Sequence, residues 1–181
     1  FLLSFKVTED ITIKSFPGLA RYGQRAGRVN ENFLNADLFA TAFLAPLKPH
    51  RDKIGVLIFE FSKFHESDFA AGRDFVSGLD KFLGKLPIGW AYGVEVRNAS
   101  LLHAEYFATL RRHGVAHVFN SWTAMPPVSE QTALEGAFTA DFFAARFLLK
   151  PGRRYTEAVD AFSPYRAVAE IQPAERAAMQ A

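Results

Sequence analysis

The run Ile54-Gly55-Val56-Leu57-Ile58-Phe59-Glu60-Phe61 decides how the chain folds. It is apolar almost without a break, and its single charge, Glu60, stands next to its end. A half-exposed strand alternates apolar and polar residues. A run without that alternation predicts a strand covered on both faces, as in a parallel sheet. Downstream, Phe75, Val76, Leu79, Phe82, Leu83 and Leu86 recur at helical spacing and are closed by Pro87 and Gly89, which predicts an amphipathic helix packed on that strand. The stretch WAYGVEVRN at residues 90–98 follows as another strand. Side chains alternate across a strand, so Glu95 and Arg97 share one face and Val94 and Val96 the other. Burying an unpaired charge is costly, so the pair either satisfies itself or lines a cavity that binds something.

Upstream, residues 2–7 (LLSFKV) read as a strand ending near Lys6, followed by a polar segment and the turn Pro17-Gly18. From Asn30, the residues Phe33, Leu34, Leu38, Phe39, Ala42 and Phe43 predict a helix that Pro46 and Pro49 end. On the other side, Leu101, Leu102, Tyr106, Phe107 and Leu110 mark a third helix with the basic ending Arg111-Arg112-His113-Gly114. A strand over 115–119 leads to Asn120, and the loop beyond it holds Trp122 and Pro126-Pro127. A short helix over 129–134, a strand over 142–147 carrying Arg146, a helix over 157–162 and a frayed tail (166–181) complete the expectation.

Strands alternate with helices, and no hairpin turn joins consecutive strands, which implies parallel β-α units. The first β-α turn lacks a glycine-rich phosphate fingerprint, so a barrel is favoured over an open doubly wound sheet. The expected fold class is α/β: a parallel (β/α) TIM-barrel, incomplete, with about five strands and a single domain over 1–181.

At 181 residues, 49% hydrophobic and 22% charged, the chain has material for one sizeable core. A formal net charge of +2 with both signs interspersed does not point to nucleic acid or membrane. The absence of cysteine excludes disulfides, thiolate metal sites and a cysteine nucleophile. No stretch reaches the length of a membrane span, and FLLSF runs into Lys6 unlike a signal peptide, so cytoplasm is the default location. Phe1 opens inside an apolar run, which suggests a cut chain.

Lys6, Glu60, Glu95 with Arg97, Asn120 and Arg146 come from five successive strands, each near its C-terminal end. In a parallel barrel those ends converge on the mouth where catalytic and binding groups sit. The plainer reading is a set of paired core polars. Three chemistries fit. Lys6, Arg97 and Arg146, joined by Lys150, Arg153 and Arg154, suit a clamp on an anionic or polar small molecule, because guanidinium forks match phosphate or carboxylate oxygens. For the 150–155 loop alone, a solvated basic loop is the simpler reading. Glu60 and Glu95 are the candidate catalytic acid and base, as in a glycosidase-like hydrolase. A metal site is poorly supported, since His50, His65, His103, His113 and His117 are scattered without ligand spacing. His113 fits a helix-end cation and His117 a core or surface residue. Trp122 is placed to wall the pocket, stack on a flat ligand or pack under its loop. No cofactor is expected.

The residues Phe5-Lys6-Val7 with Ile11-Thr12, the run 54–61, Val94-Glu95-Val96-Arg97-Asn98 and Ala145-Arg146-Phe147 together resemble the YecE-like family, a TIM-barrel domain of unknown function. The resemblance implies a barrel whose third to seventh strands are present, with the first two and the last lacking. Lys6, Glu95, Arg97 and Arg146 follow the family's pattern. Three places depart from it: Glu60-Phe61-Ser62 where Gln, an apolar residue and Pro are usual, Asn120 where aspartate is common, and Phe147-Leu148-Leu149 where a His-Gly pair often follows the arginine. No reaction follows from the resemblance, and a noncatalytic binding or regulatory barrel stands beside an enzyme.

Overall fold

The computed structural model describes residues 1–150, 152–164 and 166–180; Pro151 of the basic loop and Ala181 of the tail lie outside them. Five strands, β1 (Leu3–Lys6), β2 (Ile54–Phe61), β3 (Ala91–Val96), β4 (Ala116–Ser121) and β5 (Ala144–Phe147), form one sheet in the order β1-β2-β3-β4-β5. Every neighbouring pair is parallel. The sheet is curled as a half-barrel.

The run 54–61 is the strand its apolar character predicts, and its two faces have different neighbours. Leu57, Phe59 and Phe61 pack with Tyr92, Val94 and Val96 into the main core. Helix α3 (Gly72–Leu83) supplies much of the other side of that core. The helices are α1 (Glu9–Thr12), α2 (Ala36–Leu38), α3 (Gly72–Leu83), α4 (Ala104–Arg112), α5 (Val128–Ala133), α6 (Tyr155–Phe162) and α7 (Pro173–Ala177). Phe75, Val76, Leu79, Phe82 and Leu83 of α3 are all buried, as their spacing requires. Tyr106, Phe107 and Leu110 of α4 continue the layer.

Register fixes the opposite, concave face. Glu60 pairs with Glu95, Gly93 with Ala116, Asn120 with Arg146, and Lys6 with Ile58. Because residues two apart share a face, Lys6, Glu60, Glu95, Asn120 and Arg146 all point to the concave side, with Arg97 just beyond β3.

Three local expectations are corrected. A single helix from Asn30 does not form. Leu34 takes a positive φ of 57°, and α2 starts only at Ala36, where Asn35 Oδ1 accepts the Leu38 N–H at 2.9 Å. The helix then widens to a π-helical segment (Phe39–Leu44) and tightens to a 3-10 segment (Ala45–Lys53). Pro46 and Pro49 do not end it: Pro46 occupies the first turn, where its missing N–H costs nothing, and the chain kinks at His50 instead. The helix expected from Leu101 begins at Ala104, because Ala99–Leu101 forms a separate 3-10 turn. The tail is not frayed throughout: Glu175 of α7 accepts the Val128 N–H through Oε2 at 2.8 Å, and Ala178 and Met179 pack against the core.

Candidate functional site

Each strand delivers its polar group at the C-terminal end, after the apolar residues that anchor the strand in the core, so the side chains rest on rigid backbone. Glu95 sits at the centre. Its Oε1 accepts from Arg97 Nε at 2.9 Å and its Oε2 from Arg146 Nη1 at 2.6 Å. Glu60 Oε2 lies 3.3 Å from Arg97 Nη2, 3.4 Å from Lys6 Nζ and 3.4 Å from Arg146 Nη1. Two carboxylates from adjacent strands are therefore bridged by the same two arginines, and Lys6 completes the ring on the β1 side.

The ring is not uniformly buried. Side-chain exposure is 0% for Glu95, 7% for Arg97 and 10% for Glu60, but 25% for Arg146 and 41% for Lys6. The acids are turned inward and the outer surface is cationic. Among the described residues, the Arg146 contacts all run through Nη1, which leaves the rest of its donor fork for another partner.

Burial by itself would raise Glu60, but the charges of Arg97, Lys6 and Arg146 outweigh it and hold this carboxyl below the usual range. For Glu95 burial prevails over Arg97 and Arg146, with the Glu60 charge adding to it, and the carboxyl is raised. Neighbouring carboxyls whose proton affinities are driven apart are the electrostatic pattern of an acid and base pair, although structural ion networks shift them too.

Trp122 stacks on Arg97, with the guanidinium carbon 3.7 Å from a ring centroid. In the structure its partner is thus a side chain of the ring. Asn120 is fully buried: its Nδ2 donates to Val96 O at 3.3 Å and Val118 O at 3.4 Å, while Oδ1 is enclosed without a hydrogen-bond partner among the described residues. Gln131 of α5 holds the Asn120 backbone, accepting its N–H at 3.3 Å and donating to its carbonyl at 2.7 Å.

The loop after β5 does not join the mouth. Lys150 and Arg153 pair with Glu170 at 2.6 and 3.0 Å, and Arg154 pairs with Glu157 at 2.7 Å. His113 caps α4 and lies 2.8 Å from Asp80 on α3. His117 points to the helix side of β4, with Nδ1 3.1 Å from Tyr106 Oη, and burial pushes its pKa down to about 4. Among the described residues no group of His, Asp and Glu is arranged to hold a metal ion, and no helix is long and apolar enough to cross a membrane.

Sequence reasoning missed two participants. Glu9 Oε1 is 3.7 Å from Lys6 Nζ, and Tyr22 Oη donates to Glu9 Oε2 at 2.9 Å. The Lys6-x-x-Glu9 spacing is no signal for the first, because the rule for residues three apart holds within a helix and Lys6 ends β1 while Glu9 opens α1. Nothing local marks Tyr22, which reaches Glu9 across a loop.

A family model described as "Protein of unknown function DUF72" matches residues 1–178. A crystal structure of a DUF72 family protein from Thermotoga maritima is similar in fold, with a TM-score of 0.54 at 18% sequence identity. The likeness covers 83% of this chain and 50% of that one, so the chain spans half the length of that relative. No curated protein matches the chain.

Proposed function

The chain belongs to the DUF72 family of proteins of unknown function, and from that premise we propose that its strand ends form the anion-binding mouth of a TIM-barrel domain of the YecE-like kind. The ligand is a small molecule carrying a phosphate or carboxylate, bound by Lys6 and Arg146 with Arg97 behind them. The observation that carries this reading is the inside-out exposure of the ring: Glu60 and Glu95 are enclosed while Arg146 and Lys6 face outward. Buried acids fix the orientation of guanidinium forks, and the free side of a fork matches an oxyanion.

Calorimetric titration with inorganic phosphate tests it. Saturable binding that Arg146→Ala weakens at least tenfold, with the variant still cooperatively folded, supports the site. Equal affinity in the variant overturns it.

A catalytic use of the same groups is favoured by the opposite displacement of the two carboxyls. Glu60 Oε2 and Glu95 Oε2 lie 3.4 and 2.6 Å from the same Arg146 nitrogen, so they are no further apart than those two distances together. That bound admits the separation of about 5–5.5 Å used by retaining glycosidases. Glu95→Gln then abolishes hydrolysis of an aryl glycoside while phosphate binding persists; retained turnover removes the catalytic reading.

A further inference from the structure

Beside the mouth lies a cavity of about 230 Å³ built from the segment after α1 and the segment after β2. Its apolar walls include Phe16, Tyr22 and Phe64, and its charged residues are Lys14, Arg21, Lys63 and Asp68. Asp68 is turned to its own surroundings, accepting from the His65 N–H at 2.8 Å and from Ser15 Oγ at 3.3 Å. Lys14 has no carboxylate partner among the described residues and rests over the rings of Phe33 and Phe69, at 5.4 and 5.6 Å. Lys63 is exposed and has none either. Arg21 lies 3.9 Å from Glu9, so the positive charge that the cavity adds to its aromatic surface is that of Lys14 and Lys63.

The cavity adjoins the ring of charges. Tyr22, one of its walls, donates to Glu9, and Glu9 lies 3.7 Å from Lys6. Ser62, another lining residue, touches the ring directly, its Oγ donating to Glu60 Oε1 at 3.4 Å. The volume is below the roughly 300–1,000 Å³ of drug-sized pockets, which restricts the occupant to a small metabolite-sized group.

We propose that this cavity takes the body of the mouth's ligand, and that the ligand is a planar or aromatic molecule with anionic groups at both ends: one on Lys6 and Arg146, the other on Lys14 and Lys63. The inference rests on the anion-binding reading above and names its substrate class. Apolar rings contribute area-dependent affinity without direction. Lys14, half-buried, and Lys63, exposed, supply the second point of electrostatic recognition, and the contribution of Lys63 is strongest at low ionic strength.

Three probes separate the parts: inorganic phosphate, phenyl phosphate and 4-carboxyphenyl phosphate, titrated calorimetrically at low salt into wild type, Arg146→Ala and Lys63→Ala. Phenyl phosphate is expected to bind about tenfold more tightly than phosphate, and the carboxylated probe several-fold more tightly again. Lys63→Ala removes the gain from the carboxylate and leaves phenyl phosphate unchanged; Arg146→Ala weakens all three. Because Lys63 is exposed and unpaired, its variant keeps the fold, checked by its denaturation midpoint. Phosphate bound with no gain from the ring or the carboxylate overturns this inference and leaves the anion-binding mouth standing. Binding of the aryl probes that responds to Lys63 but not to Arg146 overturns the shared ligand. No binding of any probe overturns both.

Discussion

Glu60 and Glu95 occupy paired positions on adjacent parallel strands, and both are bound by Arg97 and Arg146. Like charges directly opposite on a sheet repel. Here the two arginines convert that repulsion into a closed alternating network.

The network's dependence on its inner cation is measurable. Removing Arg97 takes the partner from Glu95 Oε1, leaving this enclosed carboxyl with Arg146 alone, and loses the Trp122 stack. Arg97→Ala is expected to lower the unfolding free energy by about 3–5 kcal/mol. The double variant Arg97→Met with Glu95→Leu should recover much of the loss, since apolar residues of similar volume replace a buried pair at little cost. Urea denaturation reads both, and a double variant no better than the single one would locate the cost elsewhere.

The two carboxyls contribute to pH dependence with opposite signs. Glu60 is held below its ordinary value of 4.5 in the fold, so its stabilisation is complete above that value and is lost as pH falls through the folded pKa. Glu95 is raised above 4.5, so the folded state takes its proton first; that stabilisation is present below 4.5 and lost as pH rises through the folded pKa. Glu60→Gln should flatten the acid limb of stability against pH, and Glu95→Gln should steepen it. Matching slopes in the two variants would contradict the assignment.

A separate acid transition belongs to His117. It stays neutral in the fold down to about pH 4, whereas the unfolded chain protonates it near 6.5. The fold therefore loses stability as pH drops through that window, at up to about 1.4 kcal/mol per unit. His117→Phe should remove this slope while keeping the ring packing against Phe107 and Phe119. Denaturation midpoints between pH 7 and 4 decide it.

Two residues before Glu95, Gly93 has no room for a side chain. A Cβ there would lie 2.7 Å from Val118 Cγ2 and 3.2 Å from Val56 Cγ1 on the concave face. Gly93→Ala is expected to cost about 1–3 kcal/mol by overpacking. Adding Val118→Ala should restore part of that, whereas an additive further loss would show that the contact is not the cause.

Trp122 offers an optical reading of the mouth. The chain has two tryptophans, and Trp90 is the one that contacts Arg51 rather than the ring of charges. In Trp90→Phe the remaining emission comes from Trp122 against Arg97. Titration with phosphate should change it, with the same midpoint as calorimetry. A constant spectrum at saturating phosphate would mean that the anion does not reach this end of the sheet.

The sequence by itself determined the parallel β-α order, the burial of Leu57, Ile58, Phe59 and Phe61 within the run 54–61, the buried stripe of α3, and the placing of Lys6, Glu60, Glu95, Asn120 and Arg146 at strand ends. These follow from periodicity, which local steric rules impose on every strand and helix. It did not reveal the widened and tightened turns after α2, the docking of the tail through Glu175, or the neutralisation of Lys150 and Arg153 by Glu170. Only the tertiary structure decided that Arg97 and Arg146 each bridge both carboxylates, that Trp122 stacks on Arg97, and that Glu9 and Tyr22 join the ring to a neighbouring cavity. The reason is range: alternation assigns a residue to a face, but an ion pair between Glu60 and Arg146 depends on the register and curl of strands 86 residues apart in the chain, and no local pattern encodes that distance.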